Sequence, residues 1–230
     1  MSHSTLAFYL DAPMQAWGAS SRYQQRKTEA FPTKSGLIGL IAASMGIDKE
    51  DPSEEAQIAR LSELKLTVLP VARNKASQRT QRLRDYHTVG GGYDTNDPIE
   101  KLHITRKASG GPSGTVITER IYLTDARFIA LFTGDTPLLQ HCAEALSNPK
   151  WGVWFGRKAC LPAAPLLPTL AASADQAIRA LCVTADLTQD TVNRSHGQVE
   201  APGDGAWFQW DHPISFAKRT HRSRPVKRNI

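Results

Sequence analysis

A chain of 230 residues, 40% hydrophobic but only 7% aromatic, is long enough for one substantial core with room for a small second lobe. Twenty-eight Lys and Arg against 22 Asp and Glu leave a formal charge of +6, and a charged fraction of 22% is too low for a chain disordered by composition. An ordinary globular protein with a polyanionic partner is the reading to test.

Residues 5–10 form a short apolar run with two aromatics and read as a strand, which Asp11 and Pro13 end. A polar, basic loop over 20–33 follows. In the segment 35–45, Leu37, Leu40, Ile41 and Met45 fall on one helical face, Thr33 or Ser35 is placed to cap the helix, and Gly36 and Gly39 suggest close backbone approach. Residues 52–63 read as an amphipathic helix with Ile58, Leu61 and Leu64 facing inward, and 64–71 as a second strand. From 72 to 114 the apolar periodicity disappears, leaving a polar segment from which no core can be built; one this long inside a domain is usually functional or disordered. Strands are expected over 115–123 and 127–132, then a helix over 136–146 opened by Pro137, with Leu138, Leu139, Cys142 and Leu146 on its apolar face. The order β-α-α-β-insert-β-β-α predicts an α+β protein with a ferredoxin-like, RNA-recognition-like sandwich and a long basic insertion. Residues 161–230 hold three early prolines, a short helix at 173–181 and a strand at 207–210, and are expected to form an irregular extension packed on the body.

Charge is segregated along the chain. Residues 73–84 carry five bases and 218–228 carry six, neither with an acid, whereas 48–55 carries five acids and one base. Such runs are solvated faces or contact a polyanion. Cys142, Cys160 and Cys182 are odd in number and lack CxxC spacing, which argues for buried reduced thiols over a disulfide framework or a zinc knuckle. The scattered histidines give no metal-ligand spacing, and no nucleotide-binding glycine motif is present, so no cofactor is expected. The N-terminus lacks a basic and apolar leader, and the longest apolar stretch is about half a membrane span, so a cytoplasmic protein without membrane contact is expected.

Three candidate sites stand out. Lys34, Ser35 and Gly36 open a helix, where free N–H groups, the dipole and a Lys would hold a phosphate; the alternative is an ordinary capped helix. Trp17 and Gly18 lead into a loop with Arg22, Tyr23, Arg26 and Lys27, a pattern suited to stacking a base while guanidiniums take phosphates, although Trp17 is equally a core residue by type. Arg82, Arg84, Tyr86 and His87 have the composition of an RNA contact, or of a metal-independent ribonuclease using Tyr86, His87 and a Lys such as Lys107.

The stretches FYLDAPMQAWG (8–18), FPTKSGLIGL (31–40), LRDYHTV (83–89), IYLTDARF (121–128) and FGRKAC (155–160) resemble, in order and spacing, the CasD family of type I-E CRISPR Cascade subunits. The resemblance implies a ferredoxin-like body over 1–72 and 115–160, a β-hairpin thumb over 73–114 and the C-terminal extension over 161–230. It also implies a non-catalytic subunit that grips the 5′ handle of the CRISPR RNA, beside the backbone subunit CasC and the large subunit CasA, and meets target DNA through the assembled complex. Carried onto this chain, the RNA-contacting set is Gln15, Trp17, Gly18, Arg22, Arg26, Lys34, Ser35, Arg82, Arg84, Tyr86, His87, Arg106, Arg157 and Lys158. Processing of CRISPR repeat RNA by the chain itself is the rival from another class, and an RNA-binding module outside any CRISPR complex is the third.

Overall fold

The computed structural model describes residues 3–19, 24–73, 81–89, 93–94, 96–104, 106, 109–111 and 115–228. Its centre is strand β1 (His3–Asp11), buried on both faces, which explains why its sequence is a continuous apolar run and not an alternation. On one side it pairs antiparallel with β7 (Arg127–Asp135) along its whole length, and β7 in turn pairs with β4 (Lys65–Pro70). On the other side lies the short β8 (Thr169–Ala171). Even-numbered residues of β1 and β7, such as Phe8 and Phe132, join a core under α1 (Lys34–Met45) and α3 (Thr136–Ser147); odd-numbered ones, such as Ala7 and Ile129, join a second core under α4 (Ala174–Thr184).

The helix ends follow the sequence signals. Thr33 accepts the Gly36 N–H and Gly46 closes α1 at φ 74°; Asp135 accepts from Leu138 at the start of α3, beside Pro137. Helix α1 is apolar nearly all round, with Ile38 and Ala42 buried along with Leu37, Leu40 and Ile41, while Met45 is only half-buried. Its partner α2 (Glu54–Ser62) buries Ile58 and Leu61 as expected, and Leu64 beyond it is buried too. All three cysteines are free and buried, and burial pushes the Cys142 thiol up to about 12.

One strand lies in the insertion, where apolar periodicity gave none, and the expectation of an irregular C-terminal extension is corrected. Residues 81–89, within the segment that offers no core, form strand β5 (Gln81–Val89), paired antiparallel over nine residues with β6 (Val116–Thr124). Main-chain hydrogen bonds sustain this exposed ribbon without an apolar face of its own. Strand β6 also carries β2 (Met14–Gln15) and, in parallel, β3 (Gln25–Arg26). Nor is the C-terminal extension irregular: β9 (Gln198–Glu200), β10 (Trp207–Ser215) and β11 (Thr220–Arg228) extend the main sheet, whose order is β10-β11-β9-β4-β7-β1-β8. The inner face of these added strands is charged. Asp211, fully buried, accepts from Arg224 through Nε at 2.6 Å and Nη2 at 2.9 Å, and also takes the Lys34 backbone N–H at 2.7 Å. Glu200 accepts the Lys34 ammonium at 2.9 and 2.8 Å, and Glu54, from the acidic run, accepts from Ser215 Oγ and the Phe216 N–H. No helix among the described residues is long and apolar enough to cross a membrane.

Candidate nucleic-acid interface

The motifs at 8–18, 31–40 and 155–160 converge on one place. Trp17 is 0% exposed, stacks on Phe155 with ring centroids 6.0 Å apart, and donates its indole N–H to Gln15 Oε1 at 2.9 Å. The Gln15 amide donates to the Ala126 carbonyl at 2.7 Å, and Ala16 N–H donates to the Phe155 carbonyl at 3.0 Å. A Cβ at Gly36 would lie 2.9 Å from Trp17, and one at Gly156, where φ is 91°, would lie 1.7 Å from the Ala16 carbonyl oxygen. Both glycines are therefore needed for close backbone approach, whereas Gly39 has ordinary room against Phe216. Gln15 and Trp17, expected to touch RNA, form the floor of the site with their polar groups satisfied. They position it and cannot stack on a base without leaving the core.

Lys34 is corrected in the same way. Its side chain is 1% exposed and its ammonium is held by Glu200; burial pushes its pKa down against the opposing pull of that carboxylate. The helix N-terminus read as a phosphate site is already filled, because Asp211 supplies an anion to the first free N–H of α1.

Above this floor lies a cleft of about 310 Å³ bordered by Gly18, Arg26, Lys27, Ser35, Gly156, Arg157, Phe216 and His221. Arg26 and Lys27 are exposed and make no ion pair among the described residues. Arg157 is the tie between the cleft and the ribbon: its guanidinium donates to the carbonyls of Ile121 at 3.1 Å and Arg26 at 2.7 Å, and lies over the Tyr122 ring at 4.6 Å. Lys158 is exposed beside Trp154. His221, which sequence reading left among the scattered histidines, is the group missed. The signal available was its position inside the acid-free run at 218–228.

Strand alternation sorts the ribbon residues. Arg82, Arg84 and Tyr86 share one face of β5, with Tyr86 65% exposed and Arg84 paired to Glu119 of β6. His87 lies on the other face, its Nδ1 3.6 Å from the Asp85 carboxylate. Arg106 is exposed elsewhere in the insertion, while Arg22, Tyr23 and Lys107 lie outside the described residues. Among the described residues no group of His, Cys, Asp and Glu could hold a metal ion.

Residues 5–223 match the family model described as CRISPR-associated protein (Cas_Cas5). The chain belongs to the Cas5 family. The match takes in the floor, the cleft and the ribbon alike. Among curated relatives, the Escherichia coli (strain K12) "CRISPR system Cascade subunit CasD" is 31% identical over 166 residues, which cover 71% of this chain and 69% of that protein. A solved structure described as "CRISPR RNA-guided surveillance complex" superposes with a TM-score of 0.70 at 27% identity, over 97% of this chain and 88% of that one. A second, "Crystal structure of Cas protein", gives 0.57 at 22% identity over 97% and 92% and supports the fold alone. The mixed α+β architecture with antiparallel pairing is thus that of Cas5 structures.

Proposed function

We propose that this Cas5 chain is the subunit of a type I-E Cascade surveillance complex that binds the 5′ handle of the CRISPR RNA without cutting it, in the cytoplasm. The observation that carries the reading is continuity. A cleft with unpaired Arg26 and Lys27 at its border joins, through Arg157, a ribbon face bearing Arg82, Arg84 and Tyr86. One single strand spanning both would find phosphate ligands and a ring to stack on. The names of the E. coli relative and of the superposed complex support membership in a CRISPR RNA-containing assembly. The order β8-β1-β7-β4, with α1 and α3 on one face, supports a ferredoxin-like body. The β5–β6 ribbon supports the thumb, with β6 as a root shared between the insertion and the body. In this reading the thumb reaches the CasC backbone, CasA lies nearby, and target DNA is met only by the assembled complex.

The ribonuclease alternative is disfavoured by geometry. Tyr86 and His87 are neighbours on a strand and point to opposite faces, so they do not converge on one phosphate. Labelled repeat RNA incubated with the purified chain should be bound and recovered whole. With about 4–6 phosphates in contact, log K should fall with log salt at a slope of about −3 to −4, and changing Arg82 and Arg84 to Ala should flatten it by about one to two. RNA cut by the wild-type chain but spared by His87→Ala would overturn the proposal.

A further inference from the structure

Beside the cleft lies a second cavity, of about 410 Å³, between α1 and the loop that follows α3. Ser35, Gly36, Gly156 and Phe216 line both, so the two adjoin. The walls of the second cavity are aromatic, with Phe216 contributed by the turn between β10 and β11 and Trp151 and Trp154 by the loop, while Gly39 and Ala43, one turn apart on α1, leave its floor without bulk. These walls are fixed in place. Phe216 N–H donates to the Glu54 carboxylate at 2.6 Å, and the N–H groups of Lys150 and Trp151 donate to the carbonyls of Ser44 and Ala43 at 2.9 and 3.3 Å. Trp151 stays 43% exposed, so ring surface is left for an occupant. The surroundings differ in charge: the adjoining cleft carries Arg26, Lys27 and Arg157, whereas away from the shared wall the cavity is bordered by Lys49 and Glu54, within the acidic run whose Asp48, Glu50 and Asp51 are exposed.

We propose that this cavity is a pocket for one unstacked nucleobase of the RNA strand seated in the cleft, held against the rings of Phe216, Trp151 and Trp154. The inference rests on the cleft reading. Charge decides which part of the strand enters. Phosphates are favoured at Arg26, Lys27 and Arg157 and repelled by the acidic run, so the backbone cannot thread the cavity and only the uncharged base can. Single-stranded RNA is commonly held in this way, with a base splayed out onto aromatic side chains. A strand in the cleft passes the shared wall at Gly36 and Gly156, so the occupant comes with the ligand of the cleft and no further molecule has to be supplied.

The test is fluorescence anisotropy of the full chain with labelled repeat RNA in which one nucleotide at a time is made abasic. Loss of one particular base should weaken binding to the wild type by about tenfold. Ala43→Leu, which fills the floor, should weaken intact repeat RNA by a similar factor and make binding indifferent to that abasic position. Trp154→Phe should keep the wild-type pattern, and Trp154→Ala should flatten it. Lys27→Ala, in the cleft, should weaken intact and abasic RNA alike. Repeat RNA that binds and responds to Lys27→Ala, yet has no position whose effect is cancelled by Ala43→Leu or Trp154→Ala, would overturn the pocket and leave the cleft reading standing; repeat RNA that does not bind at all would overturn both. An Ala43→Leu variant that keeps the wild-type RNA affinity and abasic pattern but no longer co-purifies with neighbouring subunits would also overturn the proposal, since that result makes the cavity a protein-docking site.

Discussion

Replacing Asp211 by Ala tests whether the buried charge network holds α1 and the C-terminal hairpin together. The carboxylate has three partners: Nε and Nη2 of Arg224 and the backbone N–H of Lys34. Without it, the guanidinium of Arg224, 3% exposed, keeps only Glu200 at 3.7 Å. Breaking a buried pair from one side costs about 3–5 kcal/mol, and an emptied helix N-terminus adds about 1. For a chain of this size the sum of about 4–6 kcal/mol corresponds to a fall in Tm of about 10–20 °C. Removing both charges, as Asp211→Leu with Arg224→Met, should recover much of the loss, because no buried charge is then left alone. Phosphate should raise the Tm of Asp211→Ala more than that of the wild type, since the α1 N-terminus is then open to an anion. The measurement is thermal unfolding by circular dichroism. A fall of less than about 3 °C, or strictly additive single and double variants, would refute the claim that this cluster locks the hairpin to the body.

Two further outcomes follow from single residues. His212, buried next to Asp211, has its pKa pushed from 6.5 down to about 4, first by burial and then by Lys34, Arg222 and Arg224. The unfolded chain therefore binds the proton more readily, so stability is fully present above pH 6.5 and is lost as pH falls towards 4, by up to about 3 kcal/mol. Urea midpoints measured across that window should show the slope in the wild type and lose most of it in His212→Asn. Gly156→Ala should cost about 2–4 kcal/mol and displace Arg157, because the new Cβ meets the Ala16 carbonyl in a backbone conformation that side chains resist; a variant with wild-type Tm and repeat-RNA affinity would show that the close approach is not needed.

The elements legible in the sequence are those whose partners are apolar. Strands β1, β4, β6 and β7 and helices α1, α2 and α3 were each readable to within a few residues, because burial against the two cores imposes either a continuous apolar run or a helical stripe. β5 escaped that logic. Its side chains are mostly exposed on both faces, and what makes it a strand is its ladder to β6, more than thirty residues further on in the chain. Of the C-terminal hairpin only the start of β10, 207–210, was legible, and the rest escaped for the opposite reason. Its inner face is buried, yet it carries Asp211 and Arg224 where a periodicity search needs Val or Leu.

The misread site residues share one physical cause. Trp17 sits among Gln, Gly and loop cations, so its neighbours in sequence suggest water, while Phe155 and Gly36, which enclose it, lie far along the chain. Lys34 at a helix start has the local chemistry of a phosphate ligand, and nothing nearby reveals that carboxylates 166 and 177 residues away occupy its ammonium and its N–H. A local pattern reports what a group can bind, and tertiary structure decides whether it is already bound. The exposed candidate bases that survive this test, Arg26, Lys27, Arg82, Arg106 and Lys158, are ones for which the fold supplies no acid among the described residues. An unpaired surface cation costs little in water and gains most from a ligand that brings its own charge, and that asymmetry is why the interface argument draws on Arg26, Lys27 and Arg82 and not on the buried Lys34.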